Sequence, residues 1–92
     1  MYSLVYTNRM KRDVKLMKKR GRDLDKLIEV LDTLLKGDDL PDKNKDHQLK
    51  GVWKDFRECH IEPDWLLIYR KEENELILYA TATGSHADLF GM

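Results

Sequence analysis

The spacing of apolar positions changes along the chain, and the changes divide it into segments. "YSLVYT" (residues 2–7) is rich in β-branched and aromatic residues and predicts a first strand. Met10, Val14 and Met17 then recur at helical spacing, with Asn8 placed to cap a helix that runs to about Arg20 and stops at Gly21. Asp23 opens a second helix, whose Leu24, Leu27, Ile28, Leu31, Leu34 and Leu35 form an i, i+3, i+4, i+7 stripe that Gly37 closes. "DDLPDKNKDHQLKG" reads as a polar connector punctuated by Pro41 and Gly51. From Val52 the period shortens. "VWKDFRECHI" and "WLLIYRK" predict strands, Glu72 to Asn74 a tight turn, and "ELILYATAT" the returning strand. "GSHADLFGM" predicts a loop or a short helical turn.

The order β-α-α-β-β-β predicts one α+β domain over residues 1–92, two N-terminal helices packed on one face of a mainly antiparallel sheet. Two helices can seal only one face. The other is expected to be wet or to bind something.

Composition narrows the class. At 92 residues, with 41% apolar and 37% charged, the chain has the make-up of a soluble domain with one modest core. No apolar run approaches the ~18 residues of a membrane span, and the start lacks a signal pattern. The lone Cys59 cannot form an internal disulfide, so a cytoplasmic protein is expected. The zero net charge hides an asymmetry: residues 1–22 hold eight basic groups against Asp13, a net of +7, which the remainder balances. Arg9, Lys11, Arg12, Lys15, Lys18 and Lys19 could face a polyanion, dock an acidic partner or simply solvate a helix.

Candidate chemistry lies after the helices: His47 in "KDHQLKG", His60 and Asp64 in "CHIEPDW", His86 in "GSHADLF". Imidazole suits acid–base work because its ordinary pKa of ~6.5 lets small shifts give either role near neutrality. Cleaving RNA through its own 2′-hydroxyl needs a base on that hydroxyl, a cation near the phosphate and an acid for the leaving 5′-oxygen; it needs no metal or cofactor. The bland reading is three independent surface histidines. Their spacings of 13 and 26 residues match no short-spaced ligand motif, so no metal is expected. Cys59 and His60, adjacent on a strand, face opposite ways and make a poor nucleophile–base pair. Trp65 and Phe90 could stack on unpaired bases or fill the core, where Trp53 and Phe56 are placed. Lys50, Lys54 and Arg57 could hold phosphate or solvate an edge.

"KDHQLKGVWKDFRECHIEPDWLLIY" followed by "TGSHADLF" resembles the YafQ branch of the RelE-type bacterial toxins, and the helical "TNRMKRDVKLMKKRG" also fits. The pairing of "HxEPDW" with a terminal "TGSHxxLF" is the specific part, and the resemblance runs over nearly the whole chain. It implies a RelE-like fold and the toxin half of a toxin–antitoxin pair: a ribosome-dependent endoribonuclease cutting messenger RNA in the A site of the bacterial ribosome by 2′-hydroxyl attack. The family's functional histidines fall on His47, His60 and His86, its acid on Asp64, its aromatics on Trp65 and Phe90. Expected partners are the ribosome with its mRNA and rRNA, the latter tracked by the basic first helix, and an acidic, partly disordered DinJ- or RelB-like antitoxin in a heterotetramer. The isolated toxin is expected to be monomeric. One position departs: the family carries an arginine four residues before the final histidine, where this chain has Ala82. The resemblance then implies an attenuated toxin, either natural and drawing on another cation such as Arg57 or Lys54, or engineered to be inactive. A non-catalytic binding module docking an acidic protein is the reading from a different class.

Overall fold

In a computed structural model, which describes residues 1–91, the elements in chain order are β1 (Ser3–Tyr6), α1 (Asn8–Lys19), α2 (Leu24–Leu35), β2 (His47–Gln48), β3 (Arg57–Glu62), β4 (Trp65–Glu72), β5 (Ile77–Gly84) and α3 (His86–Phe90). The sheet order is β1-β5-β4-β3-β2, with β1 parallel to β5 and every other pair antiparallel. The α+β arrangement is the one the apolar pattern predicts, and the tail forms a short helix; a two-residue strand within the connector is an addition, and residues 51–56 fold differently. Among the described residues no helix is long and apolar enough to cross a membrane.

α1 is capped by Thr7 rather than Asn8. The Thr7 hydroxyl accepts from the Met10 amide (3.0 Å) and donates to the Thr81 carbonyl (2.7 Å), so it satisfies one free helix N–H and also ties the helix start to β5. Both helices pack on the same side of the sheet. Met10 and Met17 from α1 and Leu27, Val30, Leu31 and Leu34 from α2 meet Trp65, Leu67, Tyr69, Leu78 and Ala80 in the main core. In α2 the buried stripe runs through Val30, leaving Ile28 54% exposed.

The predicted strand over residues 52–61 begins only at Arg57. Gly51 has φ +68°, a conformation costly for any side chain, and it turns the chain into a single 3-10 turn over Gly51–Trp53. Trp53 and Phe56 then fall three residues apart on one side and pack edge-to-face at 5.5 Å. With Leu49 and Phe90 they cover Leu66, Ile68, Ala82 and Leu89 on the second sheet face. This corrects the expectation of an uncovered face. A small second core seals most of it and leaves open the end carrying the histidines.

Two bulges decide which residues reach that face. Between β4 and β5, Ile68 pairs with Ala82 and Tyr69 with Ala80, so Thr81 is an extra residue. Without it Ala82 would follow Leu78 and Ala80 into the helix-covered core; with it Ala82 turns to the second face and Thr83 to the first. Between β3 and β4, Ile61 is the extra residue, next to His60.

Candidate active site

β2 pairs His47 with Glu58, and β3 places Glu58 and His60 two residues apart on the same sheet face. His60 faces His86 from α3 with ring centroids 5.8 Å apart. Glu58 Oε1 lies 3.7 Å from His60 Nε2 and 3.9 Å from His47 Nε2, so one carboxylate serves two imidazoles. Glu58 is buried and His60 half-buried, whereas His47 and His86 are more open, with side chains 51% and 44% exposed. Residues scattered over forty positions thus meet at one end of the sheet.

The partners of the second ring nitrogen fix the tautomer of each imidazole. His47 Nδ1 is 2.7 Å from the Lys45 carbonyl and His60 Nδ1 is 3.2 Å from the Pro63 carbonyl. A carbonyl only accepts, so both Nδ1 atoms carry hydrogen. His86 Nδ1 is 3.0 Å from Asp64 Oδ1, which also accepts from the His86 backbone N–H (3.2 Å). These two bonds from His86, ring first and backbone second, hold the Asp64 carboxyl below the ordinary carboxylate range, so it is an acceptor at neutral pH. All three rings therefore offer Nε2 as the free position. Each can accept a proton there and has a carboxylate near to stabilise the resulting cation.

The scaffold around His86 is rigid for local reasons. Ser85 and Asp88 form a reciprocal capping box on α3, and Arg20 grips Asp88 with two nitrogens at 2.6 and 3.1 Å. Arg20 first and the Ser85 amide second push the Asp88 carboxyl well below its ordinary range. Gly84 is required beside it, since a Cβ there would stand 2.8 Å from Asp88 Cβ. At the other end of the same turn, Asp13 accepts from the Thr83 amide (3.1 Å).

Other candidates go elsewhere. Trp65 is fully buried in the main core, its Nε1 donating to Thr83 Oγ1 (2.9 Å), so no base can stack on it there. Arg57 projects to the opposite side of β3 from Glu58, with its Nε 3.2 Å from Asp46. Phe90 is half-buried, edge-on to Trp53 at 6.2 Å. Lys50 and Lys54 flank the exposed turn at residues 51–53 and have no ion pair among the described residues. Ala82 is fully buried, on the histidine face in the row Glu58–Ile68–Ala82. Along α1, Lys11, Arg12, Lys15, Lys18 and Lys19 are exposed and unpaired among the described residues, while Arg9 pairs with Asp13 at 3.5 Å. Cys59 faces the core, where burial raises its thiol pKa. Glu58 escaped the sequence reading, although its i−2 relation to His60 on an alternating strand places both on one face.

The family model described as "Bacterial toxin of type II toxin-antitoxin system, YafQ" matches residues 2–91. The mRNA interferase toxin YafQ of Escherichia coli K12 is 42% identical over 87 residues, 94% of this chain and 92% of that protein. Among solved structures, the toxin in the E. coli DinJ-YafQ complex superposes with a TM-score of 0.90 at 39% identity, covering 99% of this chain and all of that one. A metal-bound toxin from Helicobacter pylori superposes with a TM-score of 0.92 at 41% identity, covering 98% and 100%.

Proposed function

This chain belongs to the YafQ family of toxins from bacterial type II toxin–antitoxin systems, and from that premise we propose that it is an endoribonuclease that cleaves messenger RNA held in the ribosomal A site. The observation that carries the reading is the convergence of three imidazoles, each with Nδ1 committed to an acceptor and Nε2 free, around Glu58 and Asp64. His60 Nε2 takes the proton from the 2′-hydroxyl, and Glu58 stabilises the imidazolium formed. The 2′-oxygen attacks the adjacent phosphorus, the bond from phosphorus to the 5′-oxygen breaks, and protonated His86 delivers its Nε2 proton to that oxygen. The products are a 2′,3′-cyclic phosphate and a 5′-hydroxyl. Asp64 holds the His86 ring by Nδ1 and so fixes the direction of its Nε2. His47, across Glu58, is the second candidate base.

Lys50 and Lys54 are free cations close in sequence to this face, and the exposed lysines of α1 track ribosomal RNA phosphate, a contact that weakens with salt. An acidic, partly disordered DinJ- or RelB-like antitoxin covers the basic face and gives a heterotetramer with the monomeric toxin. The E. coli DinJ-YafQ complex supports that partner class.

Primer extension on translated messenger tests the proposal. The Ala82→Arg form is expected to cleave about 10²-fold faster than the present chain, the contribution of a cation that stabilises charge on the phosphate. Ala82 lies about two strand spacings, roughly 10 Å, from Glu58, so a long side chain can bridge the gap. Equal cleavage by both forms would remove Ala82 as the limiting feature. Cleavage that survives His60→Ala in the Ala82→Arg background would exclude the catalytic assignment of His60, whereas no cleavage by either form would favour a docking module.

Glu58, His60 and His86 also offer three ligand atoms within 4.8 Å of one another. Two imidazoles and a carboxylate suit zinc or copper, and the metal-bound H. pylori toxin is consistent with such an affinity in the family. An ion at those atoms occupies the lone pairs needed for proton transfer. Copper(II) is therefore expected to suppress cleavage, and a chelator to restore it without lowering the untreated rate. Loss of cleavage on chelation alone would make the ion part of the reaction.

A further inference from the structure

Beside the histidines, between α2 and the 3-10 turn at Asp42–Asn44, lies a cavity of about 500 Å³ that the proposed mechanism leaves unused. Its volume falls within the ~300–1,000 Å³ of small-molecule sites. Val30, Leu40, Pro41, Ile61 and Pro63 give it apolar walls, and His60 stands at its edge. We propose that this cavity receives a nucleobase of the messenger next to the scissile phosphate and so contributes to the choice of cleavage site; this rests on the ribonuclease reading above.

Three observations favour a nucleotide over another occupant. First, the cavity shares a residue with the reaction centre. His60, whose ring belongs to the reaction centre, also lines the cavity, so an occupant of the cavity lies beside the residue that must meet the 2′-hydroxyl.

Second, the wall is built into the site. Asn44 is 5% exposed, and its Nδ2 donates to the His60 carbonyl at 2.7 Å. Its Oδ1 forms no hydrogen bond among the described residues and is not sealed from solvent, so it can accept an N–H from a base edge. The next residue, Lys45, holds a left-handed conformation (φ +49°), and its carbonyl accepts the His47 ring. Residues 44 and 45 therefore bond to both imidazole-bearing strands while lining the cavity.

Third, the charge suits a phosphate chain. Glu62 is neutralised by Arg22 and Lys26, each 3.1 Å away. Glu29 is the other acid in the lining, against Lys43 and Lys45, which carry no ion pair among the described residues.

The test is an amide-resolved NMR titration of the intact chain with the four ribonucleoside 3′-monophosphates and, separately, inorganic phosphate. Nucleotides are expected to shift the Val30, Thr33, Leu40 and Asn44 amides saturably, with different affinities for different bases, and phosphate alone is expected to leave these amides still. Thr33→Phe, which fills the cavity from α2, should weaken nucleotide binding at least about five-fold, the low end for losing one stacked or enclosed base. Should that variant fold poorly, the double change Lys43→Ala, Lys45→Asn removes the rim charge and keeps a residue that tolerates the left-handed conformation. It should weaken binding similarly and alter the distribution of cuts made by the Ala82→Arg form. The inference is overturned if all four nucleotides and phosphate shift the same amides, or if these variants leave both affinity and cut sites unchanged. In either case Ala82→Arg cleavage that still depends on His60 leaves the ribonuclease reading standing, whereas absence of any cleavage sinks that reading first.

Discussion

Replacing His86 by alanine in the Ala82→Arg background is expected to lower messenger cleavage by about 10²–10⁴-fold, the usual contribution of a positioned general acid, while the thermal midpoint moves little. Both halves of that expectation come from geometry. The His86 side chain is 44% exposed, and its ring has one protein partner, Asp64, on the surface. Removing it exposes no core and leaves no buried donor or acceptor unpaired. The helix that carries it is held by other groups, namely the Ser85–Asp88 capping box and the Arg20 clamp. The partner change Asp64→Asn keeps an acceptor for the His86 backbone but removes the carboxylate that faces the ring. It should cost less than His86→Ala. Asp64 itself, held below its ordinary range, stays ionised as pH falls from neutrality and loses its contribution only in strong acid. Thermal melts and primer extension on the same preparations check both halves. Cleavage unchanged by His86→Ala would place the leaving-group proton elsewhere.

Elements dominated by one local signal were legible in the sequence, and those decided by long-range pairing were not. The leucine and methionine spacings predict most of the buried stripes of α1 and α2, Ile28 and Val30 excepted, because a helix presents every third or fourth residue to its neighbour regardless of partner. The segment "VWKDFRECHI" alternates well enough for a strand, yet its first half is a turn. Gly51 adopts a positive φ, and Trp53 packs on the cluster of Ile68 and Ala82 instead of continuing β3. Alternation alone cannot report that choice. The bulges at Ile61 and Thr81 are likewise silent in composition, and they decide that Ala82 faces the histidines while Thr83 faces the core. The histidine-bearing motifs were legible as a resemblance. Glu58 was legible by strand periodicity and went unread, since a glutamate beside an arginine looks like surface charge. Arg57 shows the same periodicity working against a site role: residues one apart cannot both face the site.

Trp65→Ala is expected to destabilise the chain by about 3–5 kcal/mol, the range for deleting a large buried aromatic. Against a total stability of roughly 5–15 kcal/mol for a domain this is severe, and at ~4–8 °C per kcal/mol for a chain of this size the midpoint should fall by more than about 10 °C. Strand register sets the size of the effect. β4 alternates Trp65, Leu67 and Tyr69 toward the helices, and all three are fully buried. The indole N–H donates to Thr83 Oγ1, whose own proton goes to the Leu66 carbonyl at 2.6 Å, so the ring closes a hydrogen-bonded chain between β4 and β5. Arg22 lies 5.8 Å from the ring centroid and is anchored to Glu62, which shields the outer edge. Trp65→Phe keeps most of the apolar volume and leaves Thr83 its acceptor at Leu66, so it should retain most of the stability and most of the cleavage. A base-stacking role makes the opposite forecast: Trp65→Ala would melt like the parent and bind messenger poorly. Paired melting curves and cleavage assays on the two variants, run below the lower midpoint, separate the cases. A Trp65→Ala chain as heat-resistant as its parent would show that the indole is not the keystone of this core.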